Sequence, residues 1–230
     1  MIKKLDILEK NIGVVFQNKK LLQEALTHRS YLNEHKNYKL PHNERLEFLG
    51  DAVLELVVTE YLFTHYPETP EGEMTNWRAA LVNGEMLARI SGKLGVEEYL
   101  LMSRGEAKDT GRARQYLLAN AFEAITGAIY LDQGYNVVKE FILKNVVVEL
   151  AEILENNLYM DPKSIFQEKA QEKEGVTPGY RVISESGPDH DKVFVVGVYL
   201  NEKLVSQGEG KSKQEAQRQA AEKALESKNW

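Results

Sequence analysis

Acidic side chains recur at helical spacing in His42-Asn-Glu-Arg-Leu-Glu-Phe-Leu-Gly-Asp-Ala-Val-Leu54. At about 100° per residue, Glu44, Glu47 and Asp51 stand at i, i+3 and i+7 and share one helix face. No Lys or Arg lies between Leu46 and Trp77, whereas Glu47, Asp51, Glu55, Glu60, Glu68, Glu71 and Glu73 are all acidic. Local ion pairing therefore cannot neutralise them. Taken alone, the pattern also fits a solvated polar stripe, because like charges one turn apart cost only about 0.2–0.5 kcal/mol.

A second stretch weighs against that bland account. In Gln115-Tyr-Leu-Leu-Ala-Asn-Ala-Phe-Glu-Ala-Ile-Thr-Gly-Ala-Ile-Tyr-Leu131 nearly every residue is apolar or small, which predicts a helix buried all round. Asn120 and Glu123 are its strongly polar interior members, three residues apart on one side. A buried carboxylate without a partner costs several kcal/mol, and no basic residue lies between Gln115 and Val138. Two solutions remain open. Glu123 meets a basic or hydroxyl partner from another helix, such as Arg45 or Arg78, or a hard divalent cation gathers oxygens from Glu47, Asp51, Asn120 and Glu123. Mg²⁺ suits the second solution because it keeps several waters, leaving room for a substrate phosphate and a nucleophilic water.

These residues need two helices, and the chain offers an all-α region to carry them. Up to about residue 158, apolar residues recur at helical spacing, punctuated by Pro41, Pro67, Pro70, Gly72 and Gly105. The expected helices are about 4–12, 18–27, 42–65, 74–91, 93–98, 114–132 and 135–155. The pattern then changes. Asp161-Pro162 reads as cap and first turn of a helix over about 162–174. The β-rich runs GYRVISE, KVFVVGVYL and KLVSQGE follow. A last helix starts at Ser212, where Ser-Lys-Gln-Glu fits a capping box, and runs to about Leu225. The expected architecture is an all-α domain over 1–158 followed by a small α+β domain, α-β-β-β-α, over 161–230.

Composition narrows the function classes. The chain has 230 residues, 43% hydrophobic and 28% charged, with 29 Lys+Arg against 35 Asp+Glu. That is too apolar for disorder and long enough for two cores. A net charge of -6 argues against a generic polyanion binder. Residues 161–230 hold 11 basic and 12 acidic residues, so an anion site there must come from local clustering. With no cysteine, disulfides, thiolate metal sites and thiol nucleophiles are excluded. No apolar run approaches the roughly 20 residues that cross a bilayer, and the start MIKKLDILEKNIG has no apolar signal region. A cytoplasmic protein without a membrane partner is expected.

Glu44-Arg-Leu-Glu-Phe-Leu-Gly-Asp-Ala52 closely resembles the signature of the ribonuclease III family, with Ala52 where that signature usually ends in Ser. Leu118-Ala-Asn-Ala-Phe-Glu-Ala-Ile-Thr-Gly-Ala-Ile-Tyr-Leu-Asp132 is similar to the family's second catalytic helix. The α-β-β-β-α tail resembles its double-stranded RNA-binding domain. The resemblance covers essentially the whole chain in the order of a bacterial-type enzyme. It implies catalytic residues Asp51 and Glu123 and metal ligands Glu47, Asp51, Asn120 and Glu123. The fourth ligand is normally Asp, and Asn120 offers a neutral carbonyl instead, which should weaken Mg²⁺ affinity. It further implies a homodimer, Phe48 packing into the partner, and Glu44 and Glu71 lining a valley near the interface. For Phe48 an ordinary core position, and for Glu71 an exposed loop charge, stand as alternatives.

Double-stranded RNA is read mainly through phosphates and 2′-hydroxyls, because side chains cannot enter its deep major groove. Ser164, Gln167 and Gln171, at i, i+3 and i+7, supply polar groups for a minor groove. His190, in Gly187-Pro-Asp-His-Asp191, is placed to reach a second one. Gly210-Lys-Ser-Lys-Gln214 sets Lys211, Ser212 and Lys213 at a helix start, where free N–H groups favour phosphate. Lys108, Arg112 and Arg114 are candidates for an RNA contact or for a solvated loop.

The expected function is a Mg²⁺-dependent endoribonuclease, Mn²⁺ substituting, that cuts double-stranded RNA in rRNA and mRNA processing. The resemblance implies 5′-phosphate and 3′-hydroxyl ends and a short 3′ overhang. Asn120 keeps open a second reading, a catalytically weakened double-stranded RNA-binding protein. A helical hydrolase of small phosphates would leave the tail unexplained.

Overall fold

A computed structural model describes residues 5–108, 110–188 and 192–230, which form two compact units, Met1–Tyr159 and Met160–Trp230.

Helices build the first unit among the described residues, with one parallel β-bridge between Thr27 and Leu101: α1 Leu5–Ile12, α2 Lys19–Ala25, α3 Arg29–Glu34, α4 Glu44–His65, α5 Glu71–Val82, α6 Gly84–Lys93, α7 Arg112–Gln133, α8 Tyr135–Asn145 and α9 Leu150–Glu155. Short 3₁₀ turns occupy Val96–Tyr99, Glu106–Lys108 and Val147–Glu149. The single helix expected over 74–91 is two helices. At Asn83 the backbone is extended, and its side-chain Oδ1 accepts from Met86 N at 2.9 Å, ending α5 and capping α6. The expected 135–155 helix likewise breaks at the 3₁₀ turn after Asn145. The short α3, capped by the His28 ring, has too little periodicity to be read from sequence.

At the centre of this unit α4 packs along α7. Leu46, Val53, Leu54, Val57 and Val58 from one meet Ala121, Phe122, Ala124, Ile125, Ala128 and Ile129 from the other, all buried. Interior glycines set the distance between the axes. A Cβ on Gly50 would lie 1.7 Å from the Glu123 carbonyl oxygen, and one on Gly127 2.3 Å from the Leu46 carbonyl oxygen. Backbone therefore touches backbone at the crossing.

Both ends of α7 are tied down. Near its start Arg114 Nε donates to Glu97 at 2.8 Å, and at its far end the Asp132 carboxylate accepts from Gln17 N and Asn18 N, each at 2.8 Å. The start of α4 is anchored through Asn43, whose amide donates to the Ala25 carbonyl at 3.3 Å and whose backbone N–H donates to the Thr27 carbonyl.

The second unit follows the expected order: α10 Pro162–Glu174, β1 Gly179–Ser186, β2 Val193–Leu200, β3 Lys203–Gly210 and α11 Lys213–Lys228. The strands form an antiparallel sheet in the order β1-β2-β3, with irregularities at Val182/Ser184 and Val198/Tyr199. Asn201, with φ of 54°, takes the left-handed conformation needed in the tight β2–β3 turn. Val196, Val198 and Leu200 turn one face of β2 inward, where Phe166, Ala170, Ala220, Ala221 and Ala224 of the two helices meet it.

Candidate active site and RNA-binding surfaces

Glycine contact between α4 and α7 brings their polar faces together. Glu47 and Asp51 flank Gly50 on one helix, and Asn120 and Glu123 precede Gly127 on the other. Glu47, Asn120 and Glu123 are half-buried, whereas Asp51 is exposed. The Glu123 carboxyl is pushed up to about 7, first by burial and then by the charges of Asp51 and Glu47. Glu47 is raised by burial, by Glu44 and by Asp51, while the facing Asn120 amide favours its charged form. The four groups anticipated from sequence thus act on one another electrostatically.

No lysine or arginine answers this charge among the described residues. Arg78, one of the expected partners of Glu123, donates to Thr59 Oγ1 at 2.9 Å, and Arg45 acts on Glu24. Nor do three Asp, Glu or His side chains among the described residues form a cage that would hold an ion unaided. Mg²⁺ rarely uses such a cage. One or two carboxylates with waters and substrate phosphate complete its octahedron. The donor set fits that cation: hard oxygens, surplus negative charge, a half-buried carboxyl held back from ionising, and solvent access at the exposed Asp51.

Glu44, one turn before Glu47, is exposed and pairs with Arg29 at 3.5 Å and with His42 at 3.8 Å. Phe48 is 82% exposed and is no part of this unit's core. It belongs to an apolar row along α4 that continues through the exposed Leu56 and Phe63. Glu71 occupies the first turn of α5 instead of a loop. With Thr59, Leu62, Phe63, Met74, Thr75 and Arg78 it lines a cavity of about 270 Å³.

In the second unit, Ser164, Gln167 and Gln171 are all exposed on α10, opposite the buried Phe166 and Ala170. The α11 start rests directly on β3. A Cβ on Gly208 would lie 2.3 Å from Ala216 O and Ala220 N, and one on Gly210 2.7 Å from Ala216 N. Ser212 Oγ accepts from Glu215 N at 3.2 Å, as a capping box requires, but Glu215 reaches back to Lys211 N at 2.8 Å, one residue earlier than in the standard box. Lys211 and Lys213 are exposed at this start, with Lys213 Nζ 5.7 Å above the Phe194 ring. His190 lies outside the described residues. Arg114 is half-buried and held by Glu97 and the Met102 sulfur, which takes it out of the candidate RNA contacts, whereas Arg112 is exposed.

Both units match known protein families. Residues 18–150 match a ribonuclease-III-like family model and residues 162–228 the double-stranded RNA binding motif. Ribonuclease 3 of Nitratiruptor sp. is 47% identical over 225 residues, covering 97% of this chain and 96% of that protein. Ribonuclease 3 of Enterococcus faecalis is 46% identical over 220 residues, covering 96% and 95%. The nuclease domain of Campylobacter jejuni ribonuclease III superposes with a TM-score of 0.57 at 42% identity, covering 63% of this chain and 94% of that structure. A second structure of that domain, at a TM-score of 0.55 and covering 62% of this chain and 98% of that one, is described as flexible in a region involved in dimer formation. The chain belongs to the ribonuclease III family: it is an endoribonuclease that acts on double-stranded RNA, with a helical nuclease domain and a double-stranded RNA-binding domain.

Proposed function

We propose that the chain hydrolyses phosphodiester bonds of double-stranded RNA with the help of Mg²⁺, or Mn²⁺ in its place, held by Glu47, Asp51, Asn120 and Glu123, and that it leaves 5′-phosphate and 3′-hydroxyl ends. The observation that carries this reading is Glu123, a half-buried carboxyl beside two other acids and without a cationic partner among the described residues. A cation held by Glu47, Asp51, Asn120 and Glu123 would supply the positive charge that keeps these carboxylates ionised, and with it Lewis acidity toward the phosphate and the attacking water. Glu47 and Glu123 fix the site from two helices whose separation the glycines set. Asp51, the exposed member of the four, meets the incoming backbone and orients the water. Ser164, Gln167, Gln171 and His190 serve the minor grooves, and Lys211, Ser212 and Lys213 the phosphates.

The nuclease domain works as a homodimer. The exposed row Phe48, Leu56 and Phe63 and the dimer-forming region of the Campylobacter relative support this, with Phe48 entering the partner and Glu44 and Glu71 near the shared valley. The setting is rRNA and mRNA processing in the cytoplasm.

Cleavage of a long duplex tests the reading. Glu123→Ala should lower the rate by roughly a thousandfold, the worth of several kcal/mol of charge stabilisation, with duplex affinity nearly unchanged in a filter-retention assay. Asn120→Asp should reduce the Mg²⁺ concentration for half-maximal rate by roughly tenfold. Duplex retention with no cutting in either metal would establish the alternative, a binding protein weakened by Asn120.

A further inference from the structure

The face of α7 that carries Asn120 and Glu123 continues one turn toward the helix start, to Tyr116. Residues 116, 120 and 123 are related by i, i+4 and i+7, so Tyr116 stands about 6 Å along the axis from Asn120. Its ring is 61% exposed. Beside it, between the starts of α6 and α7, lies a cavity of about 220 Å³ lined by Gly84, Glu85, Arg112, Gln115 and Tyr116. Among the described residues, none of the four side chains in this set is engaged in a hydrogen bond or ion pair within the protein. Arg114, two residues along, is held by Glu97.

The chemistry of the set is selective. Arg112 only donates and is always charged, which suits phosphate. Glu85 only accepts and repels phosphate, so it calls for a hydroxyl donor. Gln115 and the Tyr116 phenol both donate and accept, and the Tyr116 ring offers a flat apolar surface. A free anion would waste Glu85, and a neutral sugar would waste Arg112. A ribonucleotide backbone unit satisfies both, since its 2′-hydroxyl is donor and acceptor and distinguishes RNA from DNA.

We propose that this cavity is a ribose-phosphate subsite: it holds one nucleotide of the duplex beside the bond to be cut, with Glu85, Gln115 and Tyr116 on its 2′-hydroxyl and Arg112 on its phosphate. The assignment rests on cleavage taking place at Glu47, Asp51, Asn120 and Glu123. Its consequence is that part of the preference for RNA resides in the nuclease domain.

Duplexes carrying one 2′-deoxy substitution at successive nucleotides around the cut test it with the full-length protein. At one or two positions the deoxy substitution should raise KM by roughly tenfold, the worth of one or two lost hydrogen bonds, with kcat changing less. Tyr116→Phe, Gln115→Ala and Glu85→Gln should each shrink the penalty at that position and leave the others unchanged. Arg112→Ala should weaken all duplexes alike and reduce the salt slope by about one. Thermal melts check that each variant is folded, and Tyr116→Phe keeps the ring. Deoxy penalties that are the same at every position in the wild type and the variants would overturn the subsite. Repeating the scan by equilibrium binding with Glu123→Ala separates the two readings. A variant that still cuts sinks the metal site and leaves the deoxy footprint readable, whereas lost cutting with no footprint sinks the subsite alone.

Discussion

The α4–α7 crossing and the start of α11 share one device, a glycine where two backbones touch, and put it to opposite uses. At Gly50 and Gly127 the contact gathers the half-buried Glu47, Asn120 and Glu123 beside the exposed Asp51, with no lysine or arginine among the described residues to answer their charge. At Gly208 and Gly210 it seats a helix start on a strand so that Lys211 and Lys213 stand out in water. The first arrangement stores electrostatic cost, seen in the raised Glu123 carboxyl. The second stores far less, because both lysines lie exposed at the surface. Cleavage should therefore respond steeply to changes at the crossing, and RNA affinity should respond in graded steps to changes in the tail.

The largest expected effect is at Gly50. A methyl there would meet the Glu123 carbonyl at 1.7 Å, so Gly50→Ala must part the helices. It should cost about 3 kcal/mol or more and abolish cleavage, read as a lower melting temperature and no product. Gly72, where an added methyl would have nothing within 4 Å, is the control: Gly72→Ala should leave both readings intact or slightly raise stability. Equal damage at both glycines would dissolve the distinction drawn above.

An intermediate effect is expected in the tail. Lys211→Ala combined with Lys213→Ala should weaken binding to every duplex sequence and lower the salt slope by up to about two, with the maximal cleavage rate nearly kept. An unchanged slope in a titration of binding against salt would contradict the phosphate role.

The smallest effect is a pH dependence of stability. In the fold Glu123 binds its proton up to about pH 7, against an ordinary value of 4.5. The folded chain therefore holds more protons than the unfolded chain in that window, and its stability without metal falls as pH rises from about 4.5 through 7. Glu123→Gln should flatten this slope when melting curves of the two proteins are compared, with Glu47 and Glu24, also raised by burial, accounting for what remains. Adding Mg²⁺ near pH 7 should restore stability and release protons, detectable by calorimetry in buffers of different ionisation heat. A slope identical in both proteins would detach it from Glu123.

Much of the architecture was legible because it rests on periodicity. The helical first domain, the change of pattern after Asp161 and the three strands follow from apolar spacing, and Asp161-Pro162 and Ser212 mark their helix starts by local capping. The break at Asn83 carried a signal too, an Asn-Gly pair, but one hidden inside a continuous apolar pattern. In the site, residue types and faces were readable, whereas the fate of Arg78, Arg45 and Arg114 was not. Each finds its neighbour through tertiary contact across 17 or more residues of sequence or across helices. The crossing had a trace in the sequence as well. Gly50 and Gly127 lie in helix interiors, where glycine costs about 1 kcal/mol relative to alanine, and that penalty is tolerated where a neighbouring backbone leaves no space for a methyl.

The ties at the two ends of α7 have a further consequence. A helix packed on a smooth apolar groove can creep along its axis, and a slip of one residue would turn its surface by about 100°, swinging Asn120 and Glu123 away from α4. Arg114 on Glu97 at one end and Asp132 on the Gln17 and Asn18 amides at the other act as stops against that creep. The segment before α2, remote from the acidic cluster in sequence, thus keeps α7 in register against α4.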